Sequence, residues 1–250
     1  MSEDLDPIYV MLKRADLPRP ILYKWLLAYW CLYNATSAAR VVEAADREEP
    51  RQYYTVLCGA VIENWPHGFE RRHFRGKKAI DAVSELSRFG SPKFIVESFM
   101  APTLAQVATN VMSHQQFGPW IAWKIADMIE RILGMPVSFD DACLAMYRDP
   151  VMGAALLKFG DKHAPINAGE VNEVVEQVLT ELSPFKAPPS YDRPLNIQEV
   201  ETLLCKYKAH VGGHYPLGND SHEIKKGLME YRNIPLCNQL LQCLEGVGIS

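Results

Sequence analysis

Apolar residues in this chain recur every three or four positions, and no long alternating run of Val, Ile or Thr appears. That period belongs to helices, because residues three and four apart share a helix face whereas a strand alternates. Trp25, Tyr29, Leu32 and Tyr33 share such a face within residues 21–45, which read as one long helix. Residues 6–17, 52–63, 79–89, 92–99, 103–113 and 151–181 carry further helical patterns, and residues 116–147 read as a helix–turn–helix-like unit. The chain is expected to be mainly α.

Residues 183–194 hold four prolines, too many for a helix or a central strand, and read as an extended connector. They divide the chain into a helical core over residues 1–182 and a C-terminal helical and loop module over residues 195–250, expected to pack on that core. In the module, Asn196 is placed to cap a helix with Glu199 as its third-position partner.

Net charge of −4 excludes a polycation that binds nucleic acid through its whole surface, but permits a local basic patch. The start MSEDLDPIY lacks a secretion signal, and no run approaches a membrane span. The six cysteines form no C-x-x-C pair and no zinc-finger spacing. A cytoplasmic chain with free thiols, without a metal or other cofactor, is the expectation.

Chemistry concentrates in three places. Residues 67–78 hold five Lys or Arg and two His, interleaved with Phe69 and Phe74. Arg75, Lys77 and Lys78 are candidates to hold phosphate, the alternative being a solvated cationic face. Next, Gly118-Pro119-Trp120 opens an apolar helix, and Asp140 and Asp141 follow 22 and 23 residues after Gly118. Last, Lys206, His210, His214, Tyr215 and Asp220 gather around a Gly-rich loop, a long polar construction for a mere linker. There Lys206 is suited to a carboxylate or phosphate, and Asp220 to a cationic group.

The Gly118–Asp141 segment resembles the second half of the helix–hairpin–helix of DNA base glycosylases. That resemblance implies a hairpin that offers backbone N–H groups, at Gly118 and Trp120, to a DNA phosphate. It also implies a cleft aspartate, whose register favours Asp141 over Asp140. Either aspartate can instead cap a helix starting at Ala142, and Gly118-Pro119-Trp120 can be a plain helix start. The usual first hairpin glycine is replaced, since Gln115, Gln116 and Phe117 precede Gly118.

A second resemblance spans more of the chain. Residues 74–78, 118–141, 201–208 and 212–220 together resemble the phage amino acid:DNA transferases, relatives of the putrescinyl- and glutamyl-thymine pyrophosphorylases that hypermodify thymine. The resemblance implies DNA carrying 5-hydroxymethyluracil, activated by a kinase, and a free amino acid or amine such as glycine that displaces phosphate or pyrophosphate. It implies action in an infected bacterial host cell, on a base taken out of the stack. On this reading Asp141, Asp140 and Lys206 are catalytic, and His210, His214, Tyr215 and Asp220 bind the substrate. A base glycosylase and a non-catalytic DNA-binding scaffold are the alternatives.

Overall fold

Prolines, glycines and short polar side chains set the helix boundaries of this protein. The computed structural model describes residues 5–45, 50–140, 142–214 and 218–245. Among them the elements are α1 (Pro7–Ala15), α2 (Arg19–Leu32), α3 (Ala35–Ala44), α4 (Pro50–Ile62), α5 (Gly76–Phe89), α6 (Pro92–Phe99) and α7 (Leu104–Met112). They continue with α8 (Pro119–Arg131), α9 (Arg148–Phe159), α10 (Ala168–Glu181), α11 (Ile197–Val211), α12 (Asn219–Glu230) and α13 (Pro235–Cys243). Two short 3-10 turns, Phe69–Arg71 and Leu144–Met146, complete the set, and no strand occurs among the described residues. The protein is mainly α. No helix is long and apolar enough to cross a membrane among the described residues.

The chain falls into two compact units. The larger comprises Met11–Val137 and His222–Glu245. In it α2 packs on α3 and α6, α4 on α3 and α5, α7 on α8, and α13 on α3. Trp25, Trp30, Leu26, Leu27 and Leu32 of α2 are fully buried, each such side chain contributing roughly 1.5–3 kcal/mol. Trp30 donates to the Met128 sulfur at 3.3 Å, which satisfies its ring N–H inside the core.

The single helix expected over residues 21–45 is two helices. Tyr33 adopts a left-handed conformation (φ 50°, ψ 38°) that ends α2. Asn34 then accepts the Ser37 N–H at 2.9 Å, capping α3. Hydrophobic spacing runs straight through this break; the cap residue does not. The Gly68 N–H donates to the Leu32 carbonyl at 2.9 Å. A Cβ on Gly68 would stand 2.4 Å from the Tyr33 carbonyl oxygen, so only glycine fits against this corner.

Among the described residues the smaller unit comprises residues 5–10 and Ser138–Ser221. Here α9 packs on α10 and α11. At their crossing a Cβ on Gly153 would lie 2.3 Å from the Leu204 carbonyl oxygen, so the two backbones nearly touch. Both α10 and α11 start with capping boxes, Asn167 with Glu170 and Asn196 with Glu199. The second pair has the roles expected for it.

Residues 183–194 lie inside this unit and double back instead of extending. Lys186 and Pro194 form an antiparallel bridge. The Ala187 N–H donates to Arg193 and the Tyr191 N–H to Ala187, both at 2.9 Å. Residues 195–250 divide between the units, with α11 in the smaller and α13 in the larger.

Candidate functional site

In the larger unit, residues 67–78 run from a loop through the 3-10 turn Phe69–Arg71 into α5. Phe74 is buried and anchors the run, while Arg75, Lys77 and Lys78 are exposed. Arg75 is the N-cap of α5 and gives no side-chain cap, and the first turn holds no acidic residue. Helix starts favour anions, so cations there weaken the helix slightly and gather positive potential instead. Phe69 is 75% exposed, with the Arg72 guanidinium over its ring at 4.4 Å.

The α7–α8 hairpin belongs to the same unit. Gly118 caps α8 with an ordinary backbone (φ −103°), offers no side-chain cap, and again no acidic residue follows in the first turn. A Cβ at Gly118 would meet nothing within 4 Å, so neither the backbone nor the protein's own packing demands glycine. The first-turn N–H groups that follow have no partner within the helix. Gln116, two residues before Gly118, takes the left-handed conformation, at φ 65°. That conformation costs a non-glycine residue roughly 1–2 kcal/mol. Trp120 is half-buried, its ring edge-on to Tyr33 at 4.9 Å, at the end of a row that runs Trp25, Tyr29, Tyr33.

Arg71 joins the cationic run to the hairpin. Its Nε donates to the Cys31 carbonyl at 3.2 Å and its Nη1 to the Gln116 carbonyl at 2.7 Å. The Phe74 and Phe117 rings lie 4.5 and 5.1 Å from the guanidinium carbon. Nη2 is buried without a hydrogen-bond partner. Burial brings this guanidinium down to about 10, with only the Cys31 thiol pulling the other way. Burial also pushes the Cys31 thiol up to about 12, so it stays a neutral SH. Arg71 stands within the cationic run but its burial is invisible in the sequence. The nearest signal is the pair of aromatics, Phe74 and Phe117, that pack beside it.

In the smaller unit, Phe139 is buried and Asp140 is exposed. The Ser138 hydroxyl donates to Asp140 at 2.7 Å and accepts the Asp140 N–H at 3.1 Å. Asp141 lies outside the described residues. No α-helix starts at Ala142; the turn Leu144–Met146 comes first and α9 begins at Arg148, so Asp140 caps no helix there. The local Ser138 turn takes its place.

Helix α11 carries the densest polar chemistry of this unit. Glu199 is fully buried and paired with Arg193 through two parallel contacts of 3.1 Å. Glu201, also buried, accepts from the Thr202 hydroxyl at 3.2 Å and from the Cys205 thiol at 3.6 Å. Lys206 pairs with Asp220 at 3.1 Å and Lys208 with Asp149 at 2.6 Å. His210 and His214 are exposed. Tyr215 lies outside the described residues. A facing Lys–Asp pair presents both charges that a zwitterion presents in reverse. Sequence reasoning assigned Glu201 no role; its spacing of four to Cys205 was the available signal.

Among the described residues no group of three or more His, Cys, Asp or Glu side chains is disposed to hold a metal ion.

A family model described as amino acid:DNA transferase matches residues 3–215. Over 260 aligned positions the chain is 38% identical to a glycinyltransferase of Pseudomonas phage PaMx11, covering 92% of this chain and 87% of that one. It is 26% identical over 246 positions to a putrescinyltransferase of Delftia phage PhiW-14, covering 91% of this chain and 75% of that one.

Proposed function

The chain belongs to the amino acid:DNA transferase family, and from that premise we propose that it joins glycine, through its amine, to an activated 5-methylene of uracil in DNA. Transfer of an amino acid to DNA is the family's activity, and neither base excision nor a purely structural role is favoured. The choice of glycine rests on one observation, the similarity to a glycinyltransferase along nearly the whole chain.

The chemistry is a displacement at carbon. A kinase first esterifies 5-hydroxymethyluracil in DNA. The amine nitrogen then forms a bond to the 5-methylene carbon while the carbon–oxygen bond to phosphate or pyrophosphate breaks. The leaving group keeps that electron pair. Glycine arrives as an ammonium ion and must lose one proton to attack, and the new secondary amine sheds or keeps the other. A carboxylate in the reaction cleft supplies the base, and Asp141 is assigned that role with Asp140 beside it in sequence. Lys206 and Asp220 are assigned to the glycine carboxylate and ammonium, with His210, His214 and Tyr215 completing the amino-acid pocket. Their existing ion pair supports this, since a zwitterion exchanges two contacts for two of the same kind.

The DNA is assigned to the uncapped start of α8 at Gly118 and Trp120, and to Arg75, Lys77 and Lys78 at the start of α5. Both starts combine unpaired N–H groups with an absence of acidic residues, an arrangement suited to phosphodiesters. Taking the base out of the stack exposes its 5-methylene to attack.

The experiment is nucleoside mass spectrometry. DNA containing 5-hydroxymethyluracil is treated with a kinase, then with this protein and a mixture of amino acids. A nucleoside with the mass of the glycine adduct is expected. An adduct of another amine would overturn the choice of glycine, and unmodified nucleosides would overturn the acceptor.

A further inference from the structure

The arginine buried behind the hairpin is not used by the chemistry above. Arg71 is 8% exposed and forms no ion pair with a carboxylate among the described residues. Among the described residues its hydrogen bonds go to neutral carbonyls, of Cys31 and Gln116, and its Nη2 has no partner. A buried cation without an anion is costly, and a hydrophobic side chain of similar volume would fill the space beside Phe74 and Phe117 without that cost. Among the described residues that charge is left unbalanced.

The position of Arg71 says where an anion would meet that charge. Nη1 holds the carbonyl of Gln116, the left-handed residue two before Gly118, and so fixes the turn that leads into α8. Space stands open where a Gly118 Cβ would be, and the first turn of α8 has neither a side-chain cap nor an acidic residue. The geometry points to Arg71 as a positioning residue for DNA, whose guanidinium, set behind the hairpin turn, supplies the positive charge that receives a backbone phosphodiester at the N-terminus of α8. The Phe74 and Phe117 rings packed beside it, edge to face with each other, exclude water and keep the field of that charge strong at the turn. Arg71 need not touch the phosphate; it holds the turn in shape and neutralises what lands on it. This rests on the reading that the hairpin contacts DNA.

The test uses the full chain and a fluorescein-labelled DNA duplex, with binding followed by anisotropy across a potassium chloride series. Arg71→Met and Arg71→Gln remove the charge, and the Gln variant keeps a donor for one carbonyl should the Met variant fail to fold. Either neutral variant should bind about tenfold more weakly at low salt. The slope of log affinity against log salt should become shallower by about 0.9, the loss of one neutralised phosphate. Arg71→Lys keeps the charge and should keep the parent slope, whatever it loses in affinity. A parent slope in the neutral variants overturns the inference, as does an Arg71→Lys variant that loses as much slope as Arg71→Met.

Gly118→Glu separates this from the reading beneath it. The new side chain enters open space on an ordinary backbone and puts a negative charge where the phosphate should sit. If Gly118→Glu weakens binding while the neutral Arg71 variants keep the parent slope, Arg71 alone is misassigned. If Gly118→Glu binds like the parent, the hairpin is not the DNA contact and the inference falls with it.

Discussion

Replacing Gly153 by alanine should unfold the protein at a lower temperature, although alanine is the better helix former. Gly153 lies inside α9, and a Cβ there would stand 2.3 Å from the Leu204 carbonyl oxygen, 2.7 Å from its carbonyl carbon and 2.9 Å from its Cβ. The oxygen contact is short of ordinary van der Waals distance by roughly 1 Å. Two of those atoms are backbone and cannot rotate away, so α9 and α11 must move apart. Overpacking of this kind costs roughly 1–3 kcal/mol, and a backbone obstacle puts it at the upper end. Against that, Gly→Ala inside a helix returns about 1 kcal/mol. A net loss of about 2 kcal/mol in a chain of this size lowers the melting temperature by about 4–8 °C. Thermal unfolding followed by circular dichroism measures it. The same shift displaces α11 and with it Glu201 and Lys206, so transfer activity should fall more than the fraction unfolded accounts for. A melting temperature equal to or above the parent's would refute the reasoning, because helix propensity would then outweigh the contact.

Other predictions follow from the two polar clusters. Arg75→Ala combined with Lys77→Ala should weaken duplex binding irrespective of sequence and flatten its salt dependence by up to about 1.8 in slope, read in a salt titration. Asp141→Asn should leave DNA binding nearly unchanged and lower turnover by roughly 10²–10⁴-fold in single-turnover assays, with a smaller loss in Asp140→Asn. Lys206→Met should raise the KM for the amino acid more than it changes DNA affinity, measured by varying glycine at saturating DNA. The pH dependence of stability follows from His67 and His114, both of which burial holds below the ordinary value of 6.5, with Glu85 partly opposing at His114. The unfolded chain then takes up protons that the folded one refuses, so their contribution is complete above 6.5 and is lost progressively as pH falls from 6.5 toward the lower folded values. The melting temperature should drop accordingly in acid, and His114→Gln should flatten part of the fall.

Much of the helical order was legible because it depends on side chains that act locally. Asn196 and Glu199 cap α11 as their spacing requires, and Pro92 and Pro119 open helices where proline is tolerated. What escaped depends on contacts between distant segments. The break at Tyr33 is braced by Gly68, thirty-five positions on, and nothing in the apolar pattern of residues 21–45 announces it. Residues 183–194 close on themselves through backbone hydrogen bonds that a proline count cannot reveal. In the candidate site, Lys206 and Asp220 were named for opposite charges and are found paired. Arg71 looked like one surface cation of five, and Glu201 like one acid on an amphipathic helix; burial distinguishes both, and burial is a property of the whole fold.

The central claim is formation of a carbon–nitrogen bond between an amino acid and DNA, and isotope transfer tests it most directly. Kinase-treated 5-hydroxymethyluracil DNA is incubated with the purified protein and glycine labelled at both nitrogen and carbon. The account predicts both labels in one modified nucleoside in equal amount, with phosphate or pyrophosphate released in step with the adduct. Release of a free base with an unlabelled abasic site left in the DNA, or release of phosphate without either label entering the nucleoside, would contradict it.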